Sequence, residues 1–156
     1  MKEIVKRIKN QKGLTLIELL AVVVILGIIA AIAVPSVGKI IDNTKKDAHV
    51  ANAQQMIHSA KMAVSADTGL LPSSGSKIIS MAYLEEQGYL DTVKDPDGGI
   101  YEKGASNAST AGNFSYVKIT KSDVGKYSYS ARIYGSARNI PETAEANLAR
   151  SLVTNN

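Results

Sequence analysis

The chain has 156 residues, room for one domain of ordinary size, and no cysteine, which excludes disulfide frameworks, thiolate zinc sites and cysteine nucleophiles. Its formal charge of +4 sits entirely in the first 13 residues, where Lys2, Lys6, Arg7, Lys9 and Lys12 face only Glu3. The rest of the chain is net zero, so the folded body lacks the bulk positive charge that supplies non-specific nucleic-acid affinity.

In chain order, a basic leader runs to Gly13 and an apolar run, LTLIELLAVVVILGIIAAIAVPSV, extends from Leu14 to Val37. A bilayer needs roughly 20 such residues, so the run is long enough to span one. Lys and Arg just before it predict an N-terminus inside the cell and the remainder outside. The run is longer than the apolar region of a secretory signal peptide, and no exposed cleavage site follows it. Helical spacing instead continues, first through Val37, Ile40, Ile41, Thr44, Ala48 and Ala51, then through Met56, Ile57, Ala60, Ala63 and Val64. The second stripe is centred about 140° round from the first, at ~100° per residue. Asp67-Thr68-Gly69 predicts the helix end. One helix from Leu14 to Ala66 would be on the order of 80 Å long at ~1.5 Å per residue.

Beyond it, Ser76 to Gln87 reads as a short helix closed by Gly88. Asp95-Pro96-Asp97-Gly98-Gly99 reads as a turn, and Gly104 to Gly112 as a small-residue loop. Phe114–Thr120 and Lys126–Tyr134 read as strands joined by a hairpin at Lys121–Gly125, with Tyr127, Tyr129, Ala131 and Ile133 on a buried face. Pro141 to Val153 reads as a final helix opened by its proline.

One stretch is chemically odd: Lys12-Gly13-Leu14-Thr15-Leu16-Ile17-Glu18, a basic leader ending in Gly and followed by an apolar helix with a glutamate fifth in line. A charge near the centre of a span costs ~2.5–3.5 kcal/mol, and less near its end. This stretch resembles the class III signal of type IV prepilins and pseudopilins. The resemblance is closest over Lys12–Pro35, weaker to Gly69 and architectural beyond. It departs from the family's most frequent pattern in having Leu14 where Phe is usual.

The resemblance implies that a membrane prepilin peptidase cuts between Gly13 and Leu14 and then N-methylates Leu14. Gly13 has no side chain, which lets a narrow cleft approach its backbone. The new amine remains cationic when methylated, so Glu18 gains a counter-charge from its own chain or from a neighbour's. Gly27 and Pro35 mark a place where the helix kinks or unwinds. The expected organisation is a leader at 1–13, a membrane and filament-core helix at 14–37, its amphipathic continuation at 38–69, and a globular head at 70–156. The expected fold is α+β, with a short antiparallel sheet in the head.

The implied function is that of a structural subunit, a major pilin, polymerised into a surface filament; the alternative is a minor or tip pilin, or a competence pseudopilin, that binds DNA or a surface. The implied partners are the chain itself as a helical homopolymer, the peptidase/N-methyltransferase, an assembly ATPase, a platform membrane protein and the cytoplasmic membrane. No nucleophile–base pair or phosphate loop is present in the sequence, and no enzyme is expected. No cofactor is expected either; Asp91, Asp95, Asp97 and Glu102 are the oxygen donors that could hold calcium, without the spacing of a calcium loop. His49 and His58, nine apart on opposite sides of a helix, read as solvent or interface residues. Asn107-Ala108-Ser109 matches a glycosylation acceptor. The acidic segment Glu85–Lys103 and the basic C-terminal third are expected to meet across a subunit contact.

Processing generates the first testable expectation. Mass spectrometry of the membrane fraction should find a mature chain beginning at N-methylated Leu14, and Gly13→Leu should leave precursor. A mature chain starting near Met1, or beyond Val37, would contradict it.

Overall fold

The computed structural model describes residues 15–156; the leader, Gly13 and Leu14 lie outside the described residues. The chain divides into two compact units after Ile41. Helix α1, Leu16–Ala66, contributes to both and continues through Gly27 and Pro35, although Pro35 has no N–H to donate to the preceding turn. Its N-terminal part has a mean hydropathy of 3.0 over its most apolar 18 residues, long and apolar enough to cross a membrane. None of that window is buried within the chain.

The second unit is an α+β head built on the later turns of α1. Strands β1 (Ser76–Ser80), β2 (Tyr116–Lys121), β3 (Tyr127–Tyr134), β4 (Arg138–Ala144) and β5 (Thr154–Asn155) form one antiparallel sheet in the order β1-β2-β3-β4-β5. A short helix α2, Met81–Glu86, follows β1 directly. The five residues read from the second apolar stripe, Met56, Ile57, Ala60, Ala63 and Val64, are all buried, joined by Ala53. They recur every three or four residues and so present one face of the helix. Three alanines in this stripe keep the face shallow, and Ile79, Val117, Ile119, Ala131, Ile133 and Ile140 of the sheet complete the core.

The β2–β3 hairpin lies where the alternation puts it. Ser122 N–H donates to Lys126 O at 2.8 Å and Gly125 N–H to Ser122 O at 2.9 Å, closing the loop. Ala131 and Ile133 are buried, Tyr129 is half-buried, and Tyr127 at the strand's start is exposed. Gly88 ends α2 in the left-handed region, φ 73°, which a side chain would strain.

Two expected helices are corrected. Ser76–Gln87 is not one helix: its first five residues are strand β1, with Lys77 opposite Ile119 and Ile79 opposite Val117. Ile78 and Ile79, both β-branched, favour the strand, and Ser80 Oγ then caps α2 by accepting Tyr83 N–H at 3.1 Å. Pro141–Val153 is not a helix either. Proline lies inside β4, where Ile140 pairs with Ile133 and Thr143 with Ala131, so that Pro141 and Glu142 together oppose Arg132. That bulge is a place where a strand tolerates a residue with no N–H. Two single 3-10 turns, Glu145–Asn147 and Arg150–Leu152, then lead to β5.

The burial pattern makes a stability prediction. Ile57→Ala should destabilise the head by about 2–5 kcal/mol through lost contacts and a cavity. His58→Ala, on the exposed side of the same turn, should change it by less than ~0.5 kcal/mol. Urea unfolding in detergent, followed by circular dichroism, distinguishes them, and equal midpoints would contradict the core assignment.

Candidate functional site

The start of α1 explains how a glutamate is tolerated beside an apolar span. Thr15 is the residue before the helix, and its carbonyl accepts Leu19 N–H at 3.1 Å. Thr15 N–H donates to Glu18 Oε2 at 2.8 Å, and Thr15 Oγ–H donates to the same oxygen at 2.9 Å. In return Glu18 N–H points at Thr15 Oγ at 3.3 Å. This is a reciprocal capping box, with the carboxylate held over the positive end of the helix dipole. Glu18 Oε1 takes part in neither bond to Thr15. The pattern Thr-x-x-Glu before an apolar run announces such a box, whereas weighing Glu18 only by its cost and its counter-charge gives Thr15 no role. Cleavage after Gly13 would make Thr15 the second residue of the mature chain.

Around and beyond the box the helix offers only apolar surface. Leu16, Ile17, Leu19, Leu20, Val22, Val23 and their successors to Ile41 are all more than one-third exposed, and Ile32 is 72% exposed. Burying one such side chain fully is worth ~1.5–3 kcal/mol, so a face of this extent needs hydrocarbon or other helices around it. Gly27 and Pro35 lie within this stretch. Of the first apolar stripe, Val37, Ile40, Ile41, Thr44 and Ala51 are likewise exposed and Ala48 is half-buried.

A second cluster lies in the head, and it corrects the expectation for His49. His49 is fully buried, whereas His58 is exposed. Asn52 Nδ2–H donates to Tyr101 Oη at 2.9 Å, Tyr101 Oη lies 2.8 Å from His49 Nδ1, and His49 Nε2 lies 3.0 Å from Asp97 Oδ2. One assignment of hydrogens satisfies all three: Tyr101 O–H donates to Nδ1, and Nε2–H donates to Asp97. Burial pushes the Tyr101 hydroxyl well above its ordinary range, in keeping with a group that retains its proton. Burial alone would raise the Asp97 carboxyl, but the His49 hydrogen bond and the Arg138 charge outweigh it and hold it below the ordinary range. Of the four acidic residues considered for calcium, only Asp95 and Asp97 come together; Asp91 and Glu102 are exposed and stand apart from them.

Several charges of these segments are paired inside the chain. Arg138 bonds Asp42 and lies 3.5 Å from Asp97, so the basic third meets the acidic segment within one subunit. Lys118 Nζ contacts Glu142 at 2.9 Å, Lys61 contacts Glu145 at 2.6 Å, and Arg150 contacts Asp47. Lys121 donates to Ser73 O at 3.0 Å and lies over the Tyr127 ring. Lys118 and Lys121, both in the basic C-terminal third, thus have partners of their own.

The box yields a prediction separate from one about charge. Thr15→Val keeps the shape but removes both the hydroxyl donor and the cap, whereas Thr15→Ser retains them. Thr15→Val should lower the yield of assembled material while leaving the subunit in the membrane, and Thr15→Ser should restore it. Equal yields for both would remove the box from assembly.

Residues 8–34 match the family model described as prokaryotic N-terminal methylation motif. No curated protein and no solved structure matches the chain. The matched residues contain the leader's end, Gly13, Leu14, the Thr15–Glu18 box and Gly27, and stop one residue short of Pro35.

Proposed function

We propose that this chain is a type IV pilin-like filament subunit, stored in the cytoplasmic membrane and polymerised into a surface fibre. The observation that carries the reading is the coincidence of a prepilin methylation motif with a helix whose motif-bearing part buries nothing within the chain. A membrane anchor alone would account for the apolar surface. It would give no reason for a cleavable basic leader, nor for a carboxylate at the helix start. In a fibre both acquire a purpose. Cleavage creates a cationic Leu14 amine beside Glu18, and a neighbour's amine can be met by the same carboxylate, which sets axial register.

The steps follow from the chain's own residues. The basic leader holds the N-terminus on the cytoplasmic side. Removal of residues 1–13 takes away five of the cationic side chains that resist movement of the N-terminus into hydrocarbon. The apolar stretch then exchanges lipid for the same stretch of other copies, while the head, with several of its charges paired internally, forms the outer surface. Gly27 and Pro35 are the weak points at which the helix adjusts to this packing. The peptidase, the assembly ATPase and the platform protein are the partners this cycle requires. Keeping Glu18 favours a main subunit over a tip subunit.

Electron microscopy of fibres sheared from cells, with mass spectrometry of their subunit, tests the proposal. Thin fibres made chiefly of the chain from Leu14 onward are expected. Cells that hold the mature chain in the membrane but carry no fibre containing it would contradict the proposal.

A further inference from the structure

Three segments converge on one buried point in the head: α1 brings His49, the turn after α2 brings Asp95 and Asp97, and the β3–β4 connection brings Ser136. We propose that His49, Asp95 and Asp97 form a binding site for a divalent cation of the zinc class, independent of the assembly role. One donor atom from each lies within 4.8 Å of the other two. His49 Nε2 is 3.0 Å from Asp97 Oδ2 and 3.7 Å from Asp95 Oδ1. A tetrahedral zinc with bonds of ~2.0–2.2 Å needs donors about 3.3–3.6 Å apart, a spacing these distances bracket.

Burial and outer contacts point the same way. The His49 and Asp95 side chains are 0% exposed and that of Asp97 is 7% exposed. Each also directs its other atom to a group outside the trio. His49 Nδ1 meets the Tyr101 hydroxyl, Asp95 Oδ2 accepts Ser136 N–H and Oγ–H, and Asp97 Oδ1 lies 3.5 Å from Lys45 Nζ. Metal ligands are oriented by outer partners in this way.

An imidazole with two carboxylates suits zinc or its neighbours better than calcium, which takes six or more oxygens. Binding at Nε2 moves the proton of the neutral imidazole to Nδ1, where Tyr101 Oη can accept its hydrogen bond, so the ring stays neutral and ligates without a net loss of protons. Lys45 and Arg138, each 3.5 Å from an Asp97 oxygen, offset part of that carboxylate's charge and make the site weaker than one with two uncompensated carboxylates. Three protein donors leave a fourth position for water. The bound cation clamps the Asp95–Tyr101 segment onto α1.

The test uses the full-length protein in detergent, stripped with chelator. It is titrated with Co²⁺, whose visible ligand-field bands report donor number, and with Zn²⁺ while the thermal midpoint is followed. The expected result is a saturable four-coordinate Co²⁺ spectrum and a midpoint that rises with Zn²⁺, both lost in Asp95→Asn. Tyr101→Phe, which keeps the fold's packing, should weaken Zn²⁺ affinity ~10–100-fold. Two results would overturn the proposal. One is the absence of both responses, with His49 retaining its Nε2 proton by ¹⁵N NMR in excess Zn²⁺, which leaves a hydrogen-bonded clamp alone. The other is an equal midpoint rise with Ca²⁺ in folded His49→Gln, which makes oxygen donors sufficient.

Discussion

Among the described residues the apolar side chains from Leu16 to Val37 stay exposed, and that unmet need for burial is the constraint on which the proposed function depends. At ~1.5–3 kcal/mol for each large aliphatic side chain, the stretch cannot remain in water. In the proposed function, hydrocarbon would meet the need in the membrane, and other copies of the same stretch would meet it in a fibre. The change between them is feasible because both surroundings are about equally apolar. Direction and register must then come from something other than hydrophobicity. Within the described part of the stretch, that leaves Glu18 and the groups that hold it.

The capping box changes how Glu18 should be regarded. A bare carboxylate in an apolar setting is unfavourable, but this one accepts two hydrogen bonds from Thr15 and lies at the positive end of a helix. In the single subunit Glu18 Oε2 is therefore already satisfied by hydrogen bonds before any neighbour is met. Both bonds land on Oε2, which is consistent with a second interaction made through Oε1 without dismantling the box. The head is held by different means. Its core lies between one face of α1 and one face of the sheet, and the ion pairs of Arg138 and Arg150 with Asp42 and Asp47 tie the ends of the sheet region back to the helix. Asp47 and Arg150 are both exposed, so that pair contributes little to stability by itself.

Much of this was legible in the sequence, for identifiable reasons. The long helix, its end near Ala66 and the buried set Met56–Val64 follow from a 3.6-residue period that nothing interrupts except Pro35. The hairpin at Lys121–Gly125 follows from alternation on both sides of a glycine turn. The errors came where tertiary pairing overrides local preference. Ser76–Ser80 sits against a capped helix and reads as part of it, but Ile79 finds Val117, distant in the chain, and becomes a strand. Pro141 reads as a helix start, yet it occupies a bulge opposite Arg132 that no local pattern announces. His49 reads as a solvent or interface residue because a histidine on a helix carries no signal of its tertiary partners. Its partners Asp97 and Tyr101 lie about fifty residues away and are joined to it only by the fold.

The central claim is that the charge of Glu18, and not merely its tolerance, is what assembly uses. Fibre yield measured beside the amount of mature subunit in the membrane, for Glu18→Ala and Glu18→Gln, tests this most directly. Both variants should be cleaved and inserted normally, and both should assemble poorly. Gln keeps the size and a carbonyl acceptor for the Thr15 bonds but loses the attraction to a cationic amine. Normal fibre yield in Glu18→Ala would contradict the account, because removing a charge from a simple apolar anchor should cost nothing.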